Sequence, residues 1–382
     1  MMFWITLSSA LLPASANATD FYLGSWSYTQ SAGDDPRAMW TVHDFIRNTT
    51  HTNTGAVNSI DSGATNHAAL VPWQNIIFAR GEPTTYAKLS NEILRRTGVN
   101  VPVMWTWDAW ATCNGNVSAI RASWHVFTAL YANLQGSSYG AHLPATPFGV
   151  SLGDEPGLRN NITGNATTSA LAAALSIVKT TYPDATTHIN LLYGTLACDS
   201  GTDTLSYCCC SVEREGFSTA TGMAQRLGHM QLDWVSSDEY YDVSMADYRK
   251  TYESKLYPHL RPEQRVVLTP FAAYCELGCA PSTRIAPEPA DGRVLAQAQA
   301  HADWAASDPR VVGMFIYRLK NIWQRSADTD ACMNPWQTGL GLVDRCGNAS
   351  GGGFATPRSV QFYQELLPTM TALRKAKAEK AK

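Results

Sequence analysis

Strand-like and helix-like segments alternate along most of this chain, and this alternation limits the possible folds more than any other feature. Short apolar runs such as 148–152 (FGVSL) and 311–317 (VVGMFIY) are separated by segments with helical spacing of apolar residues, most clearly at 119–134. Strands that are each followed by a helix pair in parallel and are joined by helical crossovers. The sequence therefore predicts an α/β protein.

The number of strand–helix units distinguishes between two α/β architectures. Strands are predicted at 21–28, 99–107, 148–152, 188–193, 232–236, 265–271 and 311–317, with the second strand at either 57–60 or 75–78. Helices are predicted at 83–97, 119–134, 168–181, 247–260, 292–306 and 359–375. Eight units favour a (β/α)8 TIM barrel, a single domain with long loops. A doubly wound sheet is the alternative, but the Gly-rich phosphate loop that usually accompanies it is absent from the sequence.

Composition excludes several classes of protein. Hydrophobic residues make up 45% and charged residues 16% of the 382-residue chain, as in globular domains. The net charge of −3 argues against a nucleic-acid partner. No internal stretch reaches the roughly 18 consecutive apolar residues of a membrane span.

The first 18 residues resemble a secretory signal. An apolar run precedes Ala16-x-Ala18, the small-residue pattern of a cleavage site, although no Lys or Arg precedes the run. An apolar N-terminal strand is the alternative. We expect a signal peptide at 1–18, the barrel catalytic domain at 19–375, a basic tail at 376–382, and an extracellular location.

Acceptor motifs and cysteines agree with export. Five Asn-x-Ser/Thr motifs begin at Asn48, Asn116, Asn161, Asn165 and Asn348 and predict a glycoprotein. Nine cysteines suit disulfide bonds in an oxidising compartment, and the odd number leaves at least one unpaired or paired between chains. No histidine lies near them in sequence, so we expect no metal site and no cofactor.

Acidic and aromatic residues follow the predicted strands, at the end of a barrel where active sites are found. The candidate catalytic residues are Asp154 and Glu155 after the fourth strand, Asp238 and Glu239 after the sixth, and Glu276 after the seventh. The candidate substrate-binding residues are Trp26, Trp105, Trp107, Asp108, Tyr240, Tyr241, Arg318, Asn321 and Trp323.

Carboxyl groups among aromatic rings are typical of enzymes that cleave glycosidic bonds. One carboxyl protonates the leaving oxygen, a second stabilises or attacks the positive centre, and aromatic faces hold sugar rings. Each candidate also has a structural alternative. Asp154 could cap a helix, Trp105 and Trp107 could line the barrel interior, and Glu276 could be structural. The expected partner is an oligosaccharide or polysaccharide.

The motif Gly153-Asp154-Glu155-Pro156, with 233–238 (DWVSSD) and 312–315 (VGMF) further along, resembles the (β/α)8 glycoside hydrolases. In their retaining members an Asn-Glu pair ends strand four and a second Glu ends strand seven. That resemblance implies Glu155 as acid/base and Glu276 as nucleophile, but Asp154 replaces the expected Asn.

The adjacent Asp and Glu are also similar to the Asp-Glu-Pro motif of substrate-assisted hexosaminidases. This resemblance implies that Asp154 orients the 2-acetamido group of the substrate and that Glu155 is the general acid/base. Two other functions stay open: a carbohydrate-binding barrel without catalysis, and a polysaccharide lyase that uses residues such as Tyr240 and Arg318.

Overall fold

Eight parallel strands close into a barrel, as the sequence predicts, and helices pack around it. The computed structural model describes residues 21–28, 46–48, 70–72, 74–80, 83–113, 115–154, 165–192, 196, 220–238, 245–270, 287–317, 322–323, 337–339 and 357–380. The described strands are β1 (Tyr22–Tyr28), β2 (Ile46–Asn48), β3 (Leu70–Pro72), β4 (Ile77–Arg80), β5 (Val103–Thr106), β6 (Gly149–Asp154), β7 (Thr186–Leu192), β8 (Trp234–Asp238), β9 (Arg265–Thr269), β10 (Val311–Tyr317), β11 (Ile322–Trp323) and β12 (Gln337–Gly339).

The barrel consists of β1 and β4 to β10 in chain order, and β1 pairs with both β10 and β4 to close it. Each pair of neighbouring barrel strands is parallel, with β8 and β9 in register from Trp234 opposite Arg265 to Asp238 opposite Thr269. Two short antiparallel pairs, β2 with β3 and β11 with β12, lie apart from the barrel sheet. The second barrel strand is therefore β4, which the alternative at 75–78 predicted; residues 57–60 lie outside the described part of the chain.

The described α-helices are α1 (Pro83–Thr97), α2 (Val117–Gln135), α3 (Asn165–Thr181), α4 (Ala220–His229), α5 (Met245–Thr251), α6 (Pro287–Ser307) and α7 (Pro357–Lys380). The first has the bounds that the sequence predicts. Pro83 occupies its first turn, where no intrahelical donor is needed, and Gly98 ends it with φ of 71° while its N–H bonds Leu94 O at 2.8 Å. None of the described helices is long and apolar enough to cross a membrane.

Three predicted helices differ from the structure by several residues. The helix predicted at 292–306 begins five residues earlier, at Pro287. The segment predicted as one helix over 247–260 forms α5, a π-helical turn (Tyr252–Leu256) and a 3₁₀ turn (Tyr257–His259). The last helix extends to Lys380, so most of the predicted basic tail is helical. Near its end, Arg374 lies 5.2 Å from the Phe21 ring and donates to Val311 O, which fixes α7 at the amino ends of β1 and β10.

Successive residues of each barrel strand face the barrel interior and the surrounding helices in alternation. Large side chains fill the lower interior, among them Tyr22, Phe78, Met104, Trp234 and Phe315. The outward positions pack against the helices in a second apolar layer. Burial of one such side chain contributes about 1.5–3 kcal/mol to folding, so both layers hold the strand ends rigidly.

Cys113 belongs to the predicted disulfide-forming cysteines and Asn116 to a predicted glycosylation motif, and both residues lie in the described part of the chain. Cys113 has a free, half-buried thiol that donates to Ala109 O at 3.5 Å; the other eight cysteines lie outside the described residues. Asn116 is exposed and caps α2, since its side chain accepts a hydrogen bond from Ala119 N at 3.1 Å. The signal peptide at 1–18 also lies outside the described residues.

Candidate active site at the carboxyl ends of the barrel strands

The end of β6 contains a bulge that determines where Asp154 points. Ser151 pairs with His188 and Asp154 pairs with Asn190, so three steps along β6 match two steps along β7. The extra residue lies between them, and Gly153 has φ of 102°. Without the bulge, Gly153 would share the interior face with Ser151. With it, Asp154 takes that position.

Asp154 is buried at the carboxyl end of the fourth barrel strand, as the sequence predicts for its place along the chain. Its Oδ1 accepts a hydrogen bond from Asn190 Nδ2 at 2.7 Å. The alternative in which Asp154 caps a following helix concerns residues 155–164, which lie outside the described part of the chain. The carboxylate is thus held by a neutral donor from the adjacent strand.

A chain of hydrogen bonds continues from Asn190 into the barrel. Ser236 Oγ donates to Asn190 Oδ1 at 2.6 Å and lies 2.8 Å from His188 Nε2. On the other side of the imidazole, His188 Nδ1 lies 3.0 Å from Ser151 Oγ. We call these five side chains, Ser151, His188, Ser236, Asn190 and Asp154, the interior polar chain. All five are buried.

His188 is neutral in this environment. Burial lowers its pKa to about 3, because the charged imidazolium would lose its hydration. The rings of Phe78 and Phe315 lie with their centroids 5.5 Å and 5.8 Å from the imidazole. Neutral imidazole has one donor and one acceptor, so the two serine contacts satisfy both nitrogens.

Asp108 lies at the same end of the barrel as Asp154, directly after β5. It is exposed, and its Cβ would be 3.1 Å from a Cβ placed on Gly153. The 3₁₀ turn that follows (Ala109–Cys113) is tied to β6, because Trp110 Nε1 donates to Leu152 O at 2.9 Å. Asp108 and Asp154 are therefore brought to one edge by contacts between adjacent strands.

Trp105 and Trp107 occupy neither of the two positions that the sequence left open. Trp105 is buried against Tyr131 of α2, with ring centroids 5.6 Å apart. Trp107 is buried against Trp124 of the same helix at 4.6 Å. Both indoles fill the layer between the strands and α2, and neither lines the barrel interior or a sugar subsite.

The other candidates fall into two groups. The residues Glu155, Glu239, Tyr240, Tyr241, Glu276, Arg318 and Asn321 lie outside the described residues. Trp26, Asp238 and Trp323 are placed by their backbone alone. Asp238 ends β8, at the carboxyl edge that Asp154 shares, and Trp26 pairs with Phe78 and Tyr317 within the barrel sheet. Trp323 lies in β11, outside the barrel.

Four members of the interior polar chain were not among the predicted site residues: Ser151, His188, Asn190 and Ser236. The sequence does contain a signal for them. Strands of a closed parallel barrel are usually apolar on both faces, yet 150–152 (VSL), 188–191 (HINL) and 235–236 (VS) place polar residues at alternate positions. Polar residues on the inner face of three consecutive strands indicate a built polar site.

Other polar atoms in the described interior lack a partner. Thr106 Oγ1 and Thr269 Oγ1 are buried without a hydrogen bond in the described structure. Both hydroxyls lie near the carboxyl ends of their strands, in β5 and β9. No three His, Cys, Asp or Glu side chains in the described ranges lie together as metal ligands would.

Comparison with known proteins supports the fold. A thermostable mutant of a xylanase from Cellvibrio japonicus superposes with a TM-score of 0.52 at 11% identity, over 91% of this chain and 99% of that one. Fold, strand order and this likeness together define the chain as a (β/α)8 TIM barrel. No model of a known protein family matches the chain, and no curated protein matches it.

Two further structures of carbohydrate-active proteins are similar to this chain. A GH2 β-galacturonidase from Eisenbergiella tayi, bound to galacturonate, has a TM-score of 0.48 at 11% identity, over 91% of this chain and 51% of that one. An exo-β-1,4-mannosidase from Opitutaceae bacterium strain TAV5 has a TM-score of 0.49 at 12% identity, over 93% of this chain and 60% of that one.

Proposed function

We propose that this chain is a secreted glycoside hydrolase that cleaves O-glycosidic bonds, with Glu155 as the general acid/base. The observation that carries the proposal is the buried Asp154 carboxylate at the carboxyl end of the fourth barrel strand, held by Asn190 at 2.7 Å. Glu155 follows it directly in the sequence. In TIM barrels this edge is where catalytic side chains are found. The xylanase with the same fold agrees with a carbohydrate substrate at the level of substrate class.

A fixed carboxylate beside an acid suits the substrate-assisted mechanism. The Glu155 carboxyl transfers its proton to the leaving oxygen as the bond from C1 breaks. The substrate's acetamido oxygen bonds to C1 and closes a second, positively charged ring. Asp154 accepts a hydrogen bond from the acetamido N–H and stabilises this charge. Glu155, now ionised, then removes a proton from water, and the water oxygen bonds to C1 as the bond between C1 and the acetamido oxygen breaks.

Loss of the general acid tests the proposal directly. The full-length protein is assayed for new reducing ends against a panel of polysaccharides and aryl glycosides. Glu155→Gln should lower kcat/KM by about 10²–10⁴-fold on any substrate that the wild type cleaves. The matched control is Glu253→Gln, an exposed glutamate outside the barrel edge. Full activity of Glu155→Gln, with the fold verified by thermal unfolding, would overturn the proposal.

Two mechanisms within the same class can then be separated. Substrate assistance predicts cleavage of 2-acetamido sugars but not of their 2-hydroxy counterparts, a large loss in Asp154→Asn, and normal activity in Glu276→Gln. A mechanism with a protein nucleophile instead predicts a large loss of activity in Glu276→Gln. Asp303→Asn, exposed on α6, is the control for the aspartate change. Products that absorb in the ultraviolet would indicate elimination and exclude hydrolysis.

A further inference from the structure

The hydrogen bonds of the interior polar chain all run in one direction, from donor to acceptor, and this direction follows from the orientation of the Asn190 amide. Asn190 presents Nδ2 to the carboxylate, so its Oδ1 faces Ser236. The hydroxyl of Ser236 has one hydrogen, which it donates to that Oδ1. Ser236 Oγ can then only accept from His188 Nε2, 2.8 Å away, which places the imidazole hydrogen on Nε2.

The other end of the chain follows from the neutral imidazole. With hydrogen on Nε2, His188 Nδ1 is an acceptor. It accepts a hydrogen bond from the Ser151 hydroxyl, whose Oγ lies 3.0 Å away. Ser151 Oγ in turn accepts from the backbone N–H of Gly153 at 3.4 Å. The hydrogen bonds therefore all run in one direction. They begin at the N–H of Gly153, pass through the four other side chains, and end at Asp154, the next residue in the sequence.

The reverse direction needs a flipped Asn190 amide. In that arrangement Asn190 Oδ1 would face Asp154, and Asn190 Nδ2 would donate to Ser236. Ser236 would donate to His188 Nε2, and the imidazole hydrogen would lie on Nδ1. The His188 tautomer thus reports the orientation of the Asn190 amide, because Ser236, which lies between them, cannot reverse alone.

We propose that His188 and Ser236 are positioning residues, which hold the Asn190 amide with Nδ2 toward Asp154 and thereby orient the Asp154 carboxyl group. This inference rests on the proposed function for its catalytic consequence: Asp154 is held in one orientation for the glycosidase reaction, and Glu155 supplies the proton.

Nitrogen NMR of histidine labelled in the full-length protein tests the orientation of the Asn190 amide without any substrate. The His188 signals are assigned by their absence in His188→Gln. At neutral pH the wild type should show hydrogen on Nε2 and an unprotonated Nδ1. In Ser236→Ala the Nε2 hydrogen loses its acceptor, so the tautomer should shift toward Nδ1, and Ser236→Thr should restore it. Hydrogen on Nδ1 in the wild type would overturn the inference.

Activity measurements test the positioning role. Ser236→Ala should lower kcat by about 10-fold or more with little change in KM, because a small displacement of an oriented group has large kinetic effects. Ser90→Ala is the matched control, since Ser90 is also buried and lies 2.9 Å from a histidine Nε2, that of His142, outside the barrel interior. It should lower stability while leaving kcat and the His188 signals unchanged.

The possible results separate this inference from the proposed function. A fully active Ser236→Ala variant would overturn the positioning role while leaving the hydrolase in place. A wild-type protein with the Nε2 tautomer that hydrolyses no glycoside would overturn the proposed function, and with it the catalytic role, but would support the inferred orientation of the Asn190 amide. If Ser236→Thr does not fold, the contrast between Ser236→Ala and Ser90→Ala still decides the outcome.

Discussion

Gly153 lies against Asp108, and a Cβ on Gly153 would be only 3.1 Å from the Asp108 Cβ. Its φ of 102° is also in the region that side chains rarely adopt. Gly153→Ala should therefore lower the free energy of unfolding by about 1–3 kcal/mol or more. Because Gly153 forms the bulge that turns Asp154 inward, the variant should also lose activity. Urea unfolding and the glycosidase assay measure the two effects.

Gly98→Ala is the control for that change. Gly98 also has a positive φ, 71°, but nothing lies within 4 Å of the position that its Cβ would take. Its loss of stability should be confined to the backbone conformation, about 1 kcal/mol, with activity unchanged. Equal losses in both variants would show that contact with Asp108 contributes nothing.

The place of Asp154 could be predicted from the sequence, but its orientation could not. The apolar run at 148–152 predicts a strand, and barrel topology predicts that the next residues lie at the active edge. The bulge at Gly153 is decided by pairing with β7, which sequence alone does not determine. A glycine inside a strand pattern was the available signal for it.

The two tryptophans show a second limit of sequence reasoning. The spacing of Trp105 and Trp107 correctly predicts a shared side of the chain, but it does not determine which side. A shift of one residue exchanges the two faces of a strand. Packing of Trp105 against Tyr131 and of Trp107 against Trp124 selects the helix-facing side. Helix α4 was not predicted because Gly222 and Gly228 weaken its helical pattern.

Two buried histidines should make the fold sensitive to acid. Burial lowers the pKa of His188 to about 3 and that of His301 to about 4, from 6.5 in the unfolded chain. The unfolded state therefore binds more protons below pH 6.5, and stability falls as the pH falls through this window. Between about pH 7.5 and about 5 each histidine should remove about 2 kcal/mol from the free energy of unfolding.

His301→Gln isolates one of these contributions. His301 belongs to α6, and its Nδ1 lies 2.8 Å from Gln297 O, outside the interior polar chain. The variant should have about half the pH dependence that the two histidines give the wild type, as measured by urea unfolding at a series of pH values. An unchanged slope would mean that His301 is already protonated or exposed.

The ion pair between Lys179 and Asp233 should stabilise the amino-terminal end of the barrel. Lys179 Nζ lies 2.7 Å from Asp233 Oδ2, which also accepts from the Thr187 N–H at 2.8 Å and from Thr187 Oγ1 at 2.9 Å. Asp233→Asn should lower the free energy of unfolding by about 1–3 kcal/mol, since charged groups with several hydrogen bonds contribute more than exposed pairs.

An exposed pair is the comparison for this prediction. Arg249 and Glu253 also lie 2.7 Å apart, one helical turn from each other on the surface. Glu253→Gln should change the free energy of unfolding by no more than about 0.5 kcal/mol. A double-mutant cycle with Lys179→Met should give a coupling energy to Asp233 above that of the exposed pair. Equal couplings would contradict the structural difference.

Asn116 should carry an N-linked glycan when the protein is made through a eukaryotic secretory pathway. It is exposed at the start of α2, and its Oδ1 caps the helix by accepting a hydrogen bond from Ala119 N at 3.1 Å. The cap leaves Nδ2 as the atom to which the glycan can be attached. Asn116→Asp keeps the cap and removes the acceptor, while Ser118→Ala removes the motif without changing residue 116. Both should lose the glycan mass with little change in stability. Asn116→Ala should lose the glycan and about 1 kcal/mol of stability together. Peptide mass spectrometry and urea unfolding measure these effects, and an unmodified peptide containing Asn116 in the secreted wild type would contradict the prediction.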